Sequence, residues 1–205
     1  MSQIALPLAP GGAGVPSRIV VGNANEAALG AMAAAASWPF RTAILAGPPR
    51  SGKSLIARWF AEGGAGVAID DADRIDETEL FHRWNRAQES GTPLLLVRGA
   101  TPGGWQIALP DLRSRLGAAL QLEIGAPDDA MLADLIAVHA EQRALPLGPE
   151  AAAYLVPRIE RTHMGVEQVV AAIDRLSLER KVPPGPAIWR AALESVLGPD
   201  EPRLL

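Results

Sequence analysis

"TAILAGPPRSGKS" (residues 42–54) decides the fold. The opening "TAILAG" (42–47) is an apolar run that reads as a buried strand. It runs into "GPPRSGKS" (47–54), which matches G-x-x-x-x-G-K-[ST] without a gap, and residues 53–62 continue as a helix. Strand, glycine-rich loop and helix in that order form the context a phosphate-binding loop requires. The loop Gly47, Pro48, Pro49, Arg50, Ser51 and Gly52 is predicted to cradle phosphates with backbone N–H groups at a helix N-terminus. Lys53 would reach the β- and γ-phosphates, and Ser54 would hold Mg²⁺.

Such a loop needs a second metal anchor from another strand. "GVAIDDADR" (66–74) supplies it, an apolar strand ending in two acids. Asp70 is the candidate for Mg²⁺ coordination through water. Asp71 sits where a hydrolytic NTPase keeps the carboxylate that orients the attacking water. The bland reading, an acidic surface turn, draws on Asp73 and Asp76, which follow. Two acids at the C-terminal end of a strand, in a chain with a P-loop, favour the functional reading.

Outward from this centre, strands alternate with helices. "PLLLV" (93–97) and "ALQLEI" (119–124) read as further strands, and residues 77–90 as an amphipathic helix with Leu80, Trp84 and Ala87 on one face. Residues 25–37 are alanine-rich and helical in character. The alternation predicts an α/β fold with a parallel sheet. From residue 127 only helical patterns remain. Met131, Leu132, Leu135, Ile136 and His139 follow helical spacing, Pro157 should shorten or kink a second helix, and 165–181 and 187–197 read as two more. Three segments are therefore expected: an N-terminal peptide and flexible linker (1–16), an α/β nucleotide-binding domain (17–126) and a small all-helical domain (127–205).

Composition bounds the function. The 205 residues are 48% hydrophobic, contain no cysteine and carry a formal charge of −4. A core can be buried. Disulfide scaffolds, Cys-ligated zinc and thiol nucleophiles are excluded. The acidic balance argues against a surface that binds nucleic acid throughout. No apolar run approaches a membrane span of roughly 20 residues, and the start lacks the regions of a signal peptide. A cytoplasmic protein is expected. His82, His139 and His163 show no metal-ligand spacing.

These pieces resemble the AAA+ ATPases of the DnaA type, and within them the Hda group of replication regulators. "IVVGNANEAALGAMAAAASWP" (19–39) is similar to the segment leading to the family's P-loop, "AIDDADRI" (68–75) to its Walker B, and "ELFHRWNRAQESGTPLLLV" (79–97) to the helix and strand that follow. "LPDLRSRLG" (109–117) resembles the box that holds an arginine finger, which makes Arg115 the finger. The resemblance implies an AAA+ core with sheet order 5-1-4-3-2 in the family's numbering, here without edge strand 2, followed by a helical lid. Too few residues separate Ser54 from Asp70 for that strand and its helix. Arg115 precedes the strand "ALQLEI", whereas phosphates bind at the C-terminal ends of parallel strands. It is poorly placed for its own P-loop and well placed for a neighbour's.

The resemblance also assigns the first residues. "QIALPL" (3–8) is similar to a clamp-binding peptide of form Q-x-x-L-P-L, with Gln3, Leu6 and Leu8 as its contacts. An extended peptide of this kind docks its leucines in an apolar groove. The implied partners are the DNA polymerase sliding clamp (its beta subunit) and the DnaA initiator, with DNA reached only through the clamp and the protein held near the nucleoid. The implied cofactors are ADP or ATP with Mg²⁺. The chain ends after the lid, without the helix-turn-helix of a full initiator, which favours a regulator.

Two positions depart from the family pattern. Ala100 occupies the acidic sensor 1 position and Glu167 the arginine of sensor 2. ADP is therefore expected to bind at least as well as ATP, with weak intrinsic hydrolysis. The rival readings are a helicase loader or other DnaA-related ATPase, which would hydrolyse ATP robustly, and a small P-loop kinase, whose lid would be an insertion rather than a C-terminal block.

Overall fold

A computed structural model describes residues 18–99 and 104–198. The chain divides into two compact units, one spanning Asn23–Gly125 and the other running from Ala126 and including the described residues up to Gly22. The first contains α1 (Glu26–Met32), β1 (Thr42–Ala46), α2 (Lys53–Glu62), β2 (Val67–Ile69), α3 (Glu77–Ser90), β3 (Leu94–Val97), α4 (Pro110–Gly117) and β4 (Leu120–Glu123). The second contains α5 (Asp129–Gln142), α6 (Pro149–Leu155), α7 (His163–Arg180) and α8 (Pro186–Leu197).

The four strands are parallel and ordered β2-β3-β1-β4. This is the expected AAA+ order with the outer strand absent, so the three-residue β2 forms an edge. Register places Leu45 beside Val97 on one side and Leu122 on the other. Side chains alternate across the pleat. Ile44, Ile69, Leu94 and Leu96 therefore share one face, where Leu80 and Trp84 of α3 and Leu112 and Leu116 of α4 complete a core. Leu80, Leu112 and Leu116 are essentially fully buried, each burial stabilising the unit by about 1.5–3 kcal/mol. On the other face α2 packs against β2 and β3, and Phe60 stacks on Trp38 with ring centroids 5.5 Å apart. Trp59, on the same helix, is only half-buried.

Local sequence sets the helix limits. Asp76 accepts hydrogen bonds from the N–H groups of Thr78 and Glu79, which caps α3, and Gly91 ends it in the left-handed conformation at φ 66°. The helix expected over 25–37 stops at Met32, and a 3-10 turn over Ala35–Ser37 follows. In the helical unit Asp128 caps α5 and Thr162 caps α7. Pro149 and Pro186 occupy first turns, where proline's missing N–H has no cost. As Pro157 predicts, α6 ends at Leu155. Leu132, Ile136, Leu155, Val166, Val170, Ile173 and Trp189 form this unit's own core. No helix among the described residues is long and apolar enough to cross a membrane.

Candidate nucleotide site

β1 delivers the chain to the loop at its C-terminal end, and α2 begins at Lys53. Two glycines are required there. A Cβ at Gly47 would lie 2.9 Å from Ile124 Cβ and 3.2 Å from its carbonyl oxygen, so only hydrogen lets the loop pass the end of β4. Gly52 has φ 83°, and Arg50 is also left-handed at φ 62°. This turns the backbone around the start of α2. Gly47→Ala should cost about 1–3 kcal/mol by overpacking against backbone. A lowered urea midpoint with unchanged slope would report it; an unchanged midpoint would contradict this account of the glycine.

Lys53 Nζ donates to the carbonyl oxygens of Gly47 and Pro48, both at 2.9 Å. Burial lowers its pKa from the ordinary 10.5, opposed by the carboxylates of Asp70, Asp71 and Asp73 and reinforced by the cation of Arg98. Ser51 is buried, and its Oγ has no hydrogen-bond partner among the described residues. An orphaned hydroxyl inside a glycine-rich loop fits an oxyanion ligand that would satisfy it. Ser54, on the first turn of α2, is exposed.

Across from the loop, β2 ends at Ile69 and releases Asp70 and Asp71, both exposed. Asp70 Oδ1 accepts from the N–H of Asp71 at 3.0 Å. Asp71 adopts φ 47° and pairs with Arg74 at 3.6 Å. Asp73, which spacing alone left as part of an acidic turn, accepts from the N–H of Gly99 at 2.8 Å and ties β2's exit to β3's. The same sheet end therefore carries Lys53, Ser54, the acids and Arg98. Mg²⁺ keeps several waters and takes one or two carboxylates plus phosphate oxygens. The Ser54 hydroxyl and the Asp70 carboxylate fit that donor set.

Arg115 stands apart from this group. It lies on α4, before the N-terminal end of β4, whereas the loop leaves the C-terminal end of β1. Its guanidinium lies over the rings of Phe81 (4.6 Å to the centroid) and Trp84 (4.4 Å). It donates to Asn85 Oδ1 at 2.8 Å and pairs with Asp111 at 3.5 Å. Glu77 accepts from the N–H groups of Ala108 and Leu109 at 2.8 and 2.7 Å, so α3 holds both ends of the α4 segment. Arg113, in the same box, is spent on the Ile107 carbonyl. Residues 81, 84 and 85 share one helix face, a pattern visible in the sequence but meaningless until α4 is known to cross it.

Glu167 lies on α7 in the helical unit. In the same unit Arg161 pairs with Asp129 at 2.7 Å and Arg158 stacks on Tyr154 at 4.3 Å. Gln3, Leu6, Leu8 and Ala100 lie outside the described residues. No cluster of three metal-ligating side chains occurs among the described residues.

No protein-family profile matches the chain. A Haemophilus influenzae protein described as uncharacterized is 30% identical over 119 residues, 55% of this chain. That match spans about half (52%) of the relative's own length. Among solved structures, domain III of the Thermotoga maritima replication initiation protein DnaA superposes with a TM-score of 0.71 at 15% identity, covering 88% of this chain and 95% of that one. The replication initiator DnaA bound to AMPPCP and single-stranded DNA gives 0.59 at 16% identity, over 80% of this chain and 66% of the other. The Thermotoga maritima RuvB Holliday junction branch migration motor gives 0.60 at 20% identity, over 87% and 72%. Sheet order, P-loop and these likenesses agree: the chain has the AAA+ fold shared by DnaA and RuvB.

Proposed function

We propose that this chain is a nucleotide-binding regulator of replication initiation, tethered to the sliding clamp, that stimulates hydrolysis of ATP held by DnaA. The observation that carries the reading is the P-loop cradle with its orphaned Ser51 hydroxyl and the facing acids, built on a DnaA-like fold. Gly47–Ser54 bind ADP or ATP, and Ser54 and Asp70 hold the Mg²⁺ that travels with it. Asp71 orients water in whatever slow hydrolysis the chain performs itself. Residues 17–126 form the nucleotide-binding domain and 127–205 the lid. "QIALPL", through Gln3, Leu6 and Leu8, attaches the protein to the clamp's beta subunit on DNA, and Arg115 is presented to the neighbour's γ-phosphate.

The chemistry asked of the chain is electrostatic. A cation supplied in trans meets charge developing on the transferred phosphoryl oxygens. The test is the ratio of ADP to ATP on purified DnaA, followed over time with clamp-loaded DNA. Wild type should raise it. A Gln3→Ala, Leu6→Ala double variant should lose clamp binding and stimulation together while melting unchanged, since both positions precede the linker. Rapid ATP hydrolysis by the chain alone, with no effect on DnaA, would overturn the reading in favour of a helicase loader. Clamp binding retained by the double variant would remove the tether from "QIALPL".

A further inference from the structure

We propose that the open sheet edge at β2, together with the outer flank of α3, is an isologous interface on which a second copy of this chain docks. The inference goes beyond the proposed function and does not depend on nucleotide. Among the described residues no strand pairs with the outer side of β2. The Val67 N–H donates to the Pro93 carbonyl at 2.8 Å, so Val67 and Ile69 turn their backbone groups toward β3. Alternate residues of a strand in a parallel pair face opposite sides, and Ala68 therefore presents its N–H and C=O outward. Val67 shares a face with Ile69 yet is 49% exposed. Between this edge and α3 runs a groove of about 670 Å³, floored by Val67, Ala68 and Ile69.

The groove wall says what fills it. β2 and β3 are parallel, so α3, which joins them, runs back along the groove. Its wall carries Asp76 and Glu79 toward the exit of β2 and Arg83 and Arg86 toward the start of β2, all exposed. Glu79 accepts from Arg83 Nε at 3.0 Å, and Arg86 makes no ion pair among the described residues. Acids first and cations second make a stripe that complements itself when reversed. A two-fold axis through the Ala68 edge, perpendicular to the sheet, pairs the two β2 strands antiparallel, each Ala68 N–H donating to the Ala68 carbonyl of the other copy. The same axis sets the two α3 helices side by side and opposed in direction. Asp76 then faces Arg86 of the second copy, and Glu79 faces Arg83. Both pairings are centred on position 81, midway along the charged stripe, as Ala68 is midway along β2. An extended peptide from another protein would need to bring this charge order with it; a second copy has it already. Arg115 rests on Phe81, Trp84 and Asn85, which at 3.6 residues per turn lie on the opposite flank of α3, so the pairing leaves it untouched.

The test is sedimentation equilibrium of the full-length chain. With rising concentration the apparent mass of wild type should climb from 21.5 kDa toward twice that value. Glu79→Arg and Arg83→Glu each place like charges across the axis twice, and each alone should weaken association by about tenfold or more. An equimolar mixture of these two variants restores opposite charges at both contacts and should associate as tightly as wild type. A mere loss of helix stability predicts no such recovery. Ala68→Pro removes the outward N–H without breaking a bond to β3, a change that sheet edges tolerate, and should fold but stay monomeric. If Ala68→Pro fails to fold, the charge variants and their mixture decide alone. A wild type that stays at 21.5 kDa at every concentration overturns the second copy as occupant and leaves the edge to an extended peptide. Association unchanged in all three variants, or no recovery in the mixture, overturns the proposal. So does association lost only in Arg115→Ala, which would mark a head-to-tail contact instead.

Discussion

Lys53→Ala should abolish nucleotide binding, for ADP and ATP alike, by roughly a hundredfold to ten-thousandfold. The ammonium makes two hydrogen bonds of 2.9 Å to the Gly47 and Pro48 carbonyls, which fixes it across the loop and in reach of a phosphate seated there. Transfer of those donors to phosphate oxygens makes two charge-assisted bonds, each worth about 1.5–3 kcal/mol. Alanine removes both and leaves the two loop carbonyls without their donor. The pH dependence has a definite sign. Burial holds the lysine's pKa below 10.5. Phosphate binding favours the charged form and raises it, so binding takes up a proton where the two values bracket the pH. Affinity should fall as pH rises through the lowered value, earlier than an ordinary lysine would dictate. Calorimetry in buffers of different ionisation enthalpy reads the proton uptake directly. Wild-type affinity in Lys53→Ala would place the nucleotide elsewhere.

The strand–loop–helix unit at 42–62 was legible because each signal in it is local. An apolar run makes a central strand, Gly52 permits φ 83°, and α2 begins where the motif says it must. The limits of α3 were legible for the same reason, Asp76 and Gly91 being caps that the backbone satisfies on the spot. What periodicity could not supply was α4. Its eight residues are too few for a clear pattern, and its position comes from Glu77, distant in sequence, accepting two N–H groups at its start. Asp73 was hidden likewise, because in the sequence it looked like an acidic turn. Only the order β2-β3-β1 sets the exits of those strands side by side. Ser51 was legible as a loop residue, but the burial of its unpartnered hydroxyl was not.

Arg115→Ala should remove stimulation of DnaA while leaving nucleotide and clamp binding intact. An arginine finger supplied in trans is worth about 10³–10⁵ in rate, so its removal should return DnaA to its unstimulated rate. The packing of Arg115 adds a second effect. Its guanidinium rests on Phe81 and Trp84 and bonds Asn85. Cation–π contacts of this kind contribute about 0.5–2 kcal/mol, and the exposed pairing with Asp111 adds little. The variant should therefore melt a few degrees lower, at about 2–4 °C per kcal/mol for a chain of this size. Stability loss alone cannot silence the protein, and two further variants separate the effects. Arg115→Lys keeps a cation but not the planar fork, and should fail to stimulate. Asn85→Ala loosens the cage but keeps the guanidinium, and should lose stability while stimulating as well as wild type or better. Arg115 rests against its own domain, so reaching a neighbour's γ-phosphate would mean leaving Asn85 and the two rings. Stimulation that follows melting temperature across all three variants would make Arg115 a staple between α3 and α4. Full stimulation by Arg115→Ala would pass the role to Arg113, whose present partner is the Ile107 carbonyl.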